Sequence, residues 1–201
     1  MRDSLVIIGA GGHGKVCAEI AELNGYHNIV FLDDELADRK TVYGTTAAIP
    51  DFLSKSDYFV AIGDNQLRMN FLKRITDLGG LIATLIHVDS TISPSATVGV
   101  GSVVMAGAVI NAGAFVGRGA IINTCSSVDH DCIIGDFSHI SVGAHLAGTV
   151  HIGNCTMVGI GASVSNNLTL SDNIIIGAGG VVIETLNEAG TYVGVPVRKI
   201  Q

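Results

Sequence analysis

The sequence predicts an N-terminal α/β unit followed by a parallel β-solenoid, and two periodicities along its 201 residues carry that prediction. Up to about Leu85, short apolar runs typical of buried strands alternate with stretches in which apolar residues recur at helical spacing. From Ile92 onward an aliphatic residue stands at every sixth position. We therefore expect two domains, at residues 1–88 and 89–201.

The first domain is predicted to be a small βαβ-type, Rossmann-like parallel sheet. Strand, helix and strand in alternation is the order typical of a parallel sheet with helices packed on it. The predicted strands are Leu5–Ile8, Ile29–Leu32 and Tyr58–Ile62, and the predicted helices are Lys15–Asn24 and Gln66–Leu78.

The second domain is predicted to be a solenoid of hexapeptide repeats. Sixteen consecutive positions, from 92 to 182 in steps of six, all carry Ile, Leu or Val. If about a third of the residues here are aliphatic, chance gives this run with a probability on the order of 10⁻⁸. Three units close a triangular coil of about 18 residues with the aliphatic side chains inside, so residues 92–187 make just over five coils. The position four residues after each aliphatic residue is mostly small, which we expect to let the chain turn at each corner, as at Ala96, Ser102, Ala108, Ala114, Ala120, Ser126, Cys132, Ser138 and Ala144.

Composition excludes several classes of function. The net charge of −7 and the absence of a basic run argue against nucleic-acid or anionic-membrane binding. No apolar run approaches the roughly 20 residues of a membrane span, and the start lacks a basic leader region, so we expect a cytoplasmic protein. The four cysteines show no C-x-x-C pair and are expected to be reduced and mostly buried, at Cys17, Cys125, Cys132 and Cys155.

A glycine-rich loop opens the first predicted helix. The run Gly9-Ala10-Gly11-Gly12-His13-Gly14 follows an apolar strand, and Asp33-Asp34 ends the next strand about twenty residues later, which matches the dinucleotide-binding fingerprint. Glycines let backbone N–H groups approach phosphate, and a helix N-terminus favours negative charge. The short domain fits a single nucleotide such as UDP better than NAD. A tight turn without a ligand, and a solvated role for Asp34, stay open as alternatives.

Motifs along the whole chain resemble one enzyme family. They are IIGAGGHGKV, FLDD at 31–34, AIGDNQLR at 61–68, LIH at 85–87, NTCSSVDHDCIIGDFSHISVGAHLAG at 123–148 and YVGVPVRKI near the end. Together with the hexapeptide run they resemble the NeuD/PglD-type sugar acetyltransferases, and most of all the UDP-4-amino-sugar N-acetyltransferases of bacillosamine-type biosynthesis. The resemblance implies that the solenoid is a left-handed parallel β-helix.

The same resemblance implies an activity, two substrates and an assembly. The activity is acetyl-CoA-dependent N-acetylation of the 4-amino group of a UDP-4-amino-4,6-dideoxy-sugar, in a homotrimer with active sites between subunits. No metal is expected. The residues implied to bind the nucleotide-sugar, with His13 near the sugar, are Gly11, Gly12, His13, Gly14, Asp33, Asp34, Gly63, Asn65 and Arg68.

Histidines 130, 139, 145 and 151 crowd into little more than one coil, and His130 is the candidate general base. Amine attack on a thioester needs a base to take the amine proton, and a histidine can do this near neutral pH. Asp129 and Asp131 could each hold the imidazole in place, and the family pattern of His followed by an acid selects His130 and Asp131. Cys125 and Cys132 are expected to be structural, which leaves direct attack without an acyl-enzyme.

Family resemblance also assigns the acetyl-CoA contacts. The backbone N–H of Gly148 is expected to bind the thioester carbonyl, and His139 to contact the bound ligands. The residues expected along the pantetheine arm and the CoA phosphates are Ile160, Gly161, Ala178, Gly179, Pro196 and Arg198.

Other functions compete with this interpretation. A γ-carbonic-anhydrase-like zinc site would use His139, His145 and His151, but six-residue spacing places them on successive faces, where they diverge within one subunit. A non-catalytic nucleotide-sugar binder is disfavoured by the His130-Asp131 pair and the acetyltransferase-like tail. Among enzymes, O-acetylation of a sialic acid and N-acetylation of another nucleotide-sugar such as GDP-perosamine remain alternatives.

Overall fold

The computed structural model describes residues 2–36 and 41–200. The chain divides into two compact units, Met1–Val88 and Asp89–Gln201. Each unit is built around secondary structure of the class that the sequence predicts. Within the described residues, no helix is both long and apolar enough to cross a membrane.

The first unit is a parallel α/β sheet with strand order β2-β1-β3. Its elements are β1 (Ser4–Ile8), α1 (Gly12–Leu23), β2 (Asn28–Leu32), a 3₁₀ helix (Thr46–Phe52), β3 (Asp57–Val60), α2 (Asn65–Asp77) and β4 (Leu85–Ile86). Strand β1 is central, and its residues Leu5, Val6 and Ile7 are fully buried. Helix α1 starts three residues before the predicted start at Lys15. Gly12, His13 and Gly14 are poor helix formers, so their propensity did not place them in the helix. The 3₁₀ helix was not predicted.

The second unit is a solenoid of short parallel strands arranged on three faces. The first face holds β5 (Thr91–Ile92), β8 (Val109–Ile110), β11 (Ser127–Val128), β14 (His145–Leu146), β17 (Ser163–Val164) and β20 (Val181–Val182). The second face holds β6 (Thr97–Val98), β9 (Phe115–Val116), β12 (Ile133–Ile134), β15 (His151–Ile152) and β18 (Thr169–Leu170). The third face holds β7 (Val103–Val104), β10 (Ile121–Ile122), β13 (His139–Ile140), β16 (Met157–Val158), β19 (Ile174–Ile176), β21 (Gly190–Gly194) and β22 (Val197–Lys199), the last antiparallel to β21.

The solenoid core consists of the residues that recur every six positions. From Val104 to Val182 each of these aliphatic side chains is at most 2% exposed, which confirms the predicted interior. The solenoid extends beyond residue 187, because Leu186 bridges to Leu170 and β21 pairs with β19 to complete a sixth coil. The hexapeptide rule misses this coil because its last corner departs from the six-residue spacing.

The corners turn in a way that the sequence did not predict. The small residues, such as Ala108 and Ala144, are buried inside each corner, so they fill the narrow interior and do not make the turn. The residue before each of them makes the turn, with a left-handed φ between 52° and 79° from Gly101 to Gly179. Half of these described turn positions are not glycine: Cys125, Asp131, Phe137, Thr149, Cys155, Asn167 and Asn173. This conformation costs an L-residue about 1–2 kcal/mol, so the stacking of coils must stabilise it.

Candidate functional site

A cavity of about 440 Å³ lies at the carboxyl ends of β1, β2 and β3. In the order β2-β1-β3 the connection after β1 leads to one side of that strand and the connection after β2 leads to the other side, which makes β1/β3 the topological switch point where open α/β sheets bind ligands. Six of the nine residues predicted to bind the nucleotide-sugar line this cavity: Gly11, Gly12, His13, Asp33, Asp34 and Gly63.

The glycine loop presents open backbone to the cavity. Gly11 is the N-cap of α1 without a side-chain cap, and a Cβ at Gly11 or Gly12 would meet no atom within 4 Å. Gly9 has a φ of +102°, which favours glycine. The first N–H groups of a helix have no partner inside it, so the start of α1 can bind an anion.

The two acidic residues at the end of β2 already accept hydrogen bonds from this chain. Asp33 accepts from the N–H of Ala10 at 2.8 Å and from the N–H groups of Glu35 and Leu36 at 2.9 Å. Asp34 accepts from the N–H and the hydroxyl of Thr46, at 2.7 and 2.9 Å. Asp33 therefore ties the glycine loop to the loop after β2, and Asp34 fixes the start of the 3₁₀ helix.

Three residues of the predicted binding set do not line the cavity. A Cβ on Gly14 would overlap the carbonyl oxygen of Gly9, so this glycine allows α1 to pack closely on the loop. Arg68 is only 1% exposed and donates to the carbonyl oxygens of Ile62 and Gly63 at 2.8 and 3.0 Å. The Oδ1 of Asn65 accepts from the same guanidinium at 2.9 Å. Within the chain, Gly14, Asn65 and Arg68 thus help to shape the cavity wall, and their expected ligand contacts stay predictions.

His13 is held uncharged in the cavity wall. Burial and the positive charge of Arg68 lower the pKa of its imidazole to about 4. Its Nε2 lies 3.7 Å from the Sγ of Cys17. At neutral pH a ligand in the cavity therefore meets a neutral imidazole.

In the solenoid, His130 lies in the turn between β11 and β12 with its side chain 56% exposed. Its Nδ1 is 2.9 Å from Oδ2 of Asp131, whose left-handed φ of 57° lies in the same turn. An ionised carboxylate only accepts hydrogen bonds, so Nδ1 carries the proton and Nε2 keeps its lone pair. The hydrogen bond to Asp131, together with the charges of both neighbouring aspartates, raises the pKa of His130 above its usual value. Such an imidazole is a stronger base.

The two aspartates beside His130 have different roles. Whereas Asp131 binds the ring, Asp129 accepts from the backbone N–H of His130 at 2.7 Å and from Nδ2 of Asn111 at 2.9 Å. These two hydrogen bonds lower the pKa of Asp129. Sequence reasoning missed Asn111, and only the 18-residue coil length would have placed it next to Asp129.

Gly148 lies directly against the imidazole of His130. A Cβ at this position would overlap Nε2 and would lie 2.6 Å from Cε1. Among the described residues its backbone N–H has no hydrogen-bond partner, while its carbonyl accepts from the N–H of Asn167 at 3.1 Å. The backbone of Gly148 therefore lies next to the imidazole of His130, and among the described residues its N–H is available as a donor for a developing oxyanion.

The other histidines of the cluster lie apart, on different faces. His139 on β13 is buried and its Nε2 is 3.0 Å from Nδ2 of Asn123, a partner that sequence reasoning missed. His145 on β14 contacts Ser127, and His151 lies on β15. Three ligands on three different sheets do not converge on a tetrahedral ion, and the described residues contain no metal-binding group of three or more His, Cys, Asp or Glu.

The residues predicted to contact acetyl-CoA stack near the end of the solenoid. Ile160 is 57% exposed and its carbonyl accepts from the N–H of Gly179, one coil further on. A Cβ at Gly161 or Gly179 would meet nothing within 4 Å, so this column presents an open surface, continued by Ala178. In the tail, Pro196 lies between β21 and β22, and Arg198 lies 3.6 Å from Glu184.

Cys132 is a structural thiol inside a corner. It is fully buried, it donates to the carbonyl of Ala147 at 3.2 Å, and burial raises the pKa of its thiol. Ser102 and Ser138 occupy the equivalent position at another corner of the solenoid, and each bridges two coils through its hydroxyl. By contrast Cys125 is exposed, so the expectation of mostly buried thiols is wrong for it.

We expect Cys132→Ser to keep kcat within about twofold and the free energy of unfolding within about 1 kcal/mol, because Ser102 and Ser138 make the same two kinds of contact at the equivalent position of another corner. Chemical denaturation and steady-state kinetics check both values. A loss of turnover above about a hundredfold in a folded variant would instead indicate a covalent acyl-cysteine.

Comparison with known proteins places these features in one family. Residues 4–75 match the PglD N-terminal domain family. The acetyltransferase domain of PglB from Neisseria gonorrhoeae FA1090 is 42% identical, with a TM-score of 0.94 over 99% of this chain and 100% of that one, and its structure is also known with acetyl coenzyme A. PerB from Caulobacter crescentus, solved with CoA and GDP-perosamine, is 37% identical with a TM-score of 0.94, over 98% of this chain and 97% of that one.

A third relative is the GDP-perosamine N-acetyltransferase of Escherichia coli O157:H7. It is 28% identical over 156 residues, which cover 73% of this chain and 71% of that protein. The α/β unit and the hexapeptide solenoid are those of the sugar acetyltransferases, and the solenoid is a left-handed parallel β-helix as expected. The chain belongs to the NeuD/PglD-type sugar acetyltransferase family.

Proposed function

We propose that the protein is an acetyl-CoA-dependent N-acetyltransferase that acts on the 4-amino group of a nucleotide-linked 4-amino-4,6-dideoxy-sugar. The observation that carries this proposal is the arrangement of His130, Asp131 and Gly148, in which a basic nitrogen and a free N–H donor lie side by side. The likeness to PglB and PerB supports it. A UDP-sugar is the first candidate substrate, and GDP-perosamine, which PerB binds, is the second.

The reaction starts with attack of the neutral amine on the thioester carbonyl of acetyl-CoA. The new C–N bond gives a tetrahedral intermediate, and Nε2 of His130 takes the proton that the amine loses. The C–S bond then breaks, and the imidazolium returns the proton to the departing CoA thiolate. Asp131 stabilises the imidazolium between these steps and keeps Nε2 as the accepting nitrogen. No residue becomes acylated.

In this scheme the N–H of Gly148 donates to the carbonyl oxygen as its negative charge develops. The exposed column at Ile160, Gly161 and Gly179 binds the pantetheine arm, and the tail with Pro196 and Arg198 lies by the nucleotide part of CoA. His139, which is buried beside Asn123, contacts the bound ligands. These assignments are supported by the likeness to the PglB domain solved with acetyl coenzyme A.

An acetyl-CoA consumption assay against UDP- and GDP-linked 4-amino sugars tests the proposal. The matched control is the same nucleotide-sugar with a hydroxyl in place of the 4-amino group. Turnover on the amine alone is expected. Turnover on the hydroxyl sugar would indicate O-acetylation, and binding without any turnover would indicate a nucleotide-sugar sensor.

Gly11→Val should weaken nucleotide-sugar binding by at least tenfold and spare acetyl-CoA binding. The variant should fold, because Gly11 has a φ of −72° and open space at its Cβ position, but the branched side chain then blocks backbone approach to the diphosphate. Titration calorimetry with each ligand separately measures both effects. Equal weakening of acetyl-CoA binding would contradict the assignment of this cavity. Gly11→Val is a cleaner test than Asp34→Ala, which also removes the bonds to Thr46.

The enzyme is a homotrimer with active sites between subunits. Phe115 and Ile133 face outward side by side on the second face, where the monomer exposes 47% and 44% of them. Contiguous exposed apolar residues of this kind indicate a protein contact. Light scattering should give a mass three times 20.7 kDa, and Phe115→Asp should release monomers. A monodisperse 20.7 kDa species of the unaltered protein at micromolar concentration would contradict the trimer.

A further inference from the structure

Among the described residues, the charged side chains that line the cavity proposed to bind a nucleotide diphosphate are all acidic. Asp33, Asp34 and Glu35 line it, and among the described residues that do so there is no lysine or arginine. A diphosphate brings at least two further negative charges. The N-terminus of α1 supplies about half a positive charge, which is too little to balance them.

Arg68 lies immediately behind this cavity. Its guanidinium is 1% exposed and donates to the carbonyl oxygens of Ile62 and Gly63, which are themselves part of the cavity lining. An arginine remains charged even when buried. The positive charge therefore sits one residue layer from the space that the ligand would fill, and it is the second cause, after burial, that lowers the pKa of His13 in the same lining.

We propose that Arg68 is the electrostatic partner of the ligand's diphosphate, acting across the backbone of residues 62–63 without touching the ligand. This inference rests on the proposed binding of a nucleotide-sugar in this cavity. A buried cation is screened much less by salt and solvent than a surface lysine. Its charge therefore acts at a distance at which an exposed residue's charge would not.

The alternative is that Arg68 only holds the loop in shape. Removing the guanidinium does not separate the two, because the carbonyls of Ile62 and Gly63 would lose their donor and the loop would lose this support. Two other substitutions do separate them. Asn65→Asp keeps the oxygen that accepts from Arg68 at 2.9 Å and the shape of the side chain, but places a negative charge on the guanidinium. Arg68→Lys keeps the charge and loses the forked hydrogen bonds.

The experiment measures the affinity for UDP and for uridine, and for GDP and guanosine, by calorimetry at one salt concentration. The readout is the ratio of nucleotide affinity to nucleoside affinity, because this ratio reports the contribution of the diphosphate alone. Asn65→Asp should lower this ratio at least tenfold with nucleoside affinity unchanged and the melting temperature equal or higher. Arg68→Lys should keep the ratio within about threefold, whatever it does to stability. Asn70→Asp, the same change on an exposed residue of α2, is the matched control and should leave the ratio unchanged.

An unchanged ratio in Asn65→Asp, or an equal fall in Asn70→Asp, would overturn the proposal. A ratio that falls as far in Arg68→Lys as in Asn65→Asp would also overturn it, since geometry and not charge would then matter. If the unaltered protein binds neither UDP nor GDP, the proposed function itself fails, and this outcome is distinct from the others.

Discussion

Replacing His130 by alanine should lower kcat by roughly 10²–10⁴-fold with little change in KM, because a general base acts in the transition state and not in substrate binding. The side chain is half exposed and holds no other part of the fold, so the variant should fold normally. Steady-state kinetics with acetyl-CoA and the preferred nucleotide-sugar measure the effect. Near-normal turnover would transfer the role of base to another group, with His13 and His139 the next candidates.

The pH dependence of the same reaction follows from the hydrogen bond to Asp131. The base must be neutral, so activity falls as the pH drops through the pKa of His130. Since Asp131 raises this pKa, the fall begins at a higher pH than for an ordinary histidine. Asp131→Asn removes the charge and should move the acid limb of kcat/KM to lower pH, with a smaller loss of kcat than in His130→Ala. An unmoved limb would mean that the titrating group is not His130.

Gly148→Ala should lower kcat by roughly 10²-fold, the second-largest loss that we expect. The added methyl group would occupy the space of the His130 ring, which must swing away from Asp131 and from the reacting atoms. Misplacement of a catalytic group by about 1 Å can cost this much. Melting temperature should change little, because Gly148 is not among the residues with positive φ and the displaced side chain is exposed.

A double-mutant cycle identifies the cause of that loss. If Gly148→Ala acts by displacing the imidazole, it should have almost no further effect on kcat in the His130→Ala background. A full additional hundredfold loss would show instead that the methyl group obstructs acetyl-CoA or the Gly148 N–H. Gly143→Ala is the control for a turn glycine with open space, and it should affect stability more than kcat because its φ is +60°.

The sequence predicts the fold well where one physical cause repeats. An aliphatic side chain that must be buried once per corner leaves a six-residue pattern, and each such residue from Val104 to Val182 is buried. The glycine loop could also be recognised from the sequence, because only glycine permits the close approach of residue 14 to the Gly9 carbonyl. These features depend on the spacing of residues that are close in sequence, and such spacing can be recognised directly in the sequence.

The candidate site was harder to predict where the deciding contact is distant in sequence. Family resemblance placed Arg68 at the ligand, and no sequence pattern indicates that its guanidinium also donates to the carbonyl oxygens of Ile62 and Gly63. The different roles of Asp129 and Asp131 depend on Asn111, which lies one coil away and donates to Asp129. The Asn123–His139 contact likewise joins residues 16 positions apart in neighbouring coils. Such contacts follow from the coil geometry and become predictable only once that geometry is known.

The stacking of identical coils also sets how this chain can change length. Ser127 pairs with His145 and His145 with Ser163, so each added layer takes 18 residues. Successive layers are separated by the ordinary strand spacing of about 4.8 Å. Within the strands, an insertion or deletion that is not a multiple of six would turn the later aliphatic side chains out of the interior, and one of six or twelve residues would move every later strand to another face. The length of the solenoid between the His130 turn and the C-terminal hairpin therefore changes only by whole layers. An acetyl donor bound along this surface would be matched in length only in steps of one layer.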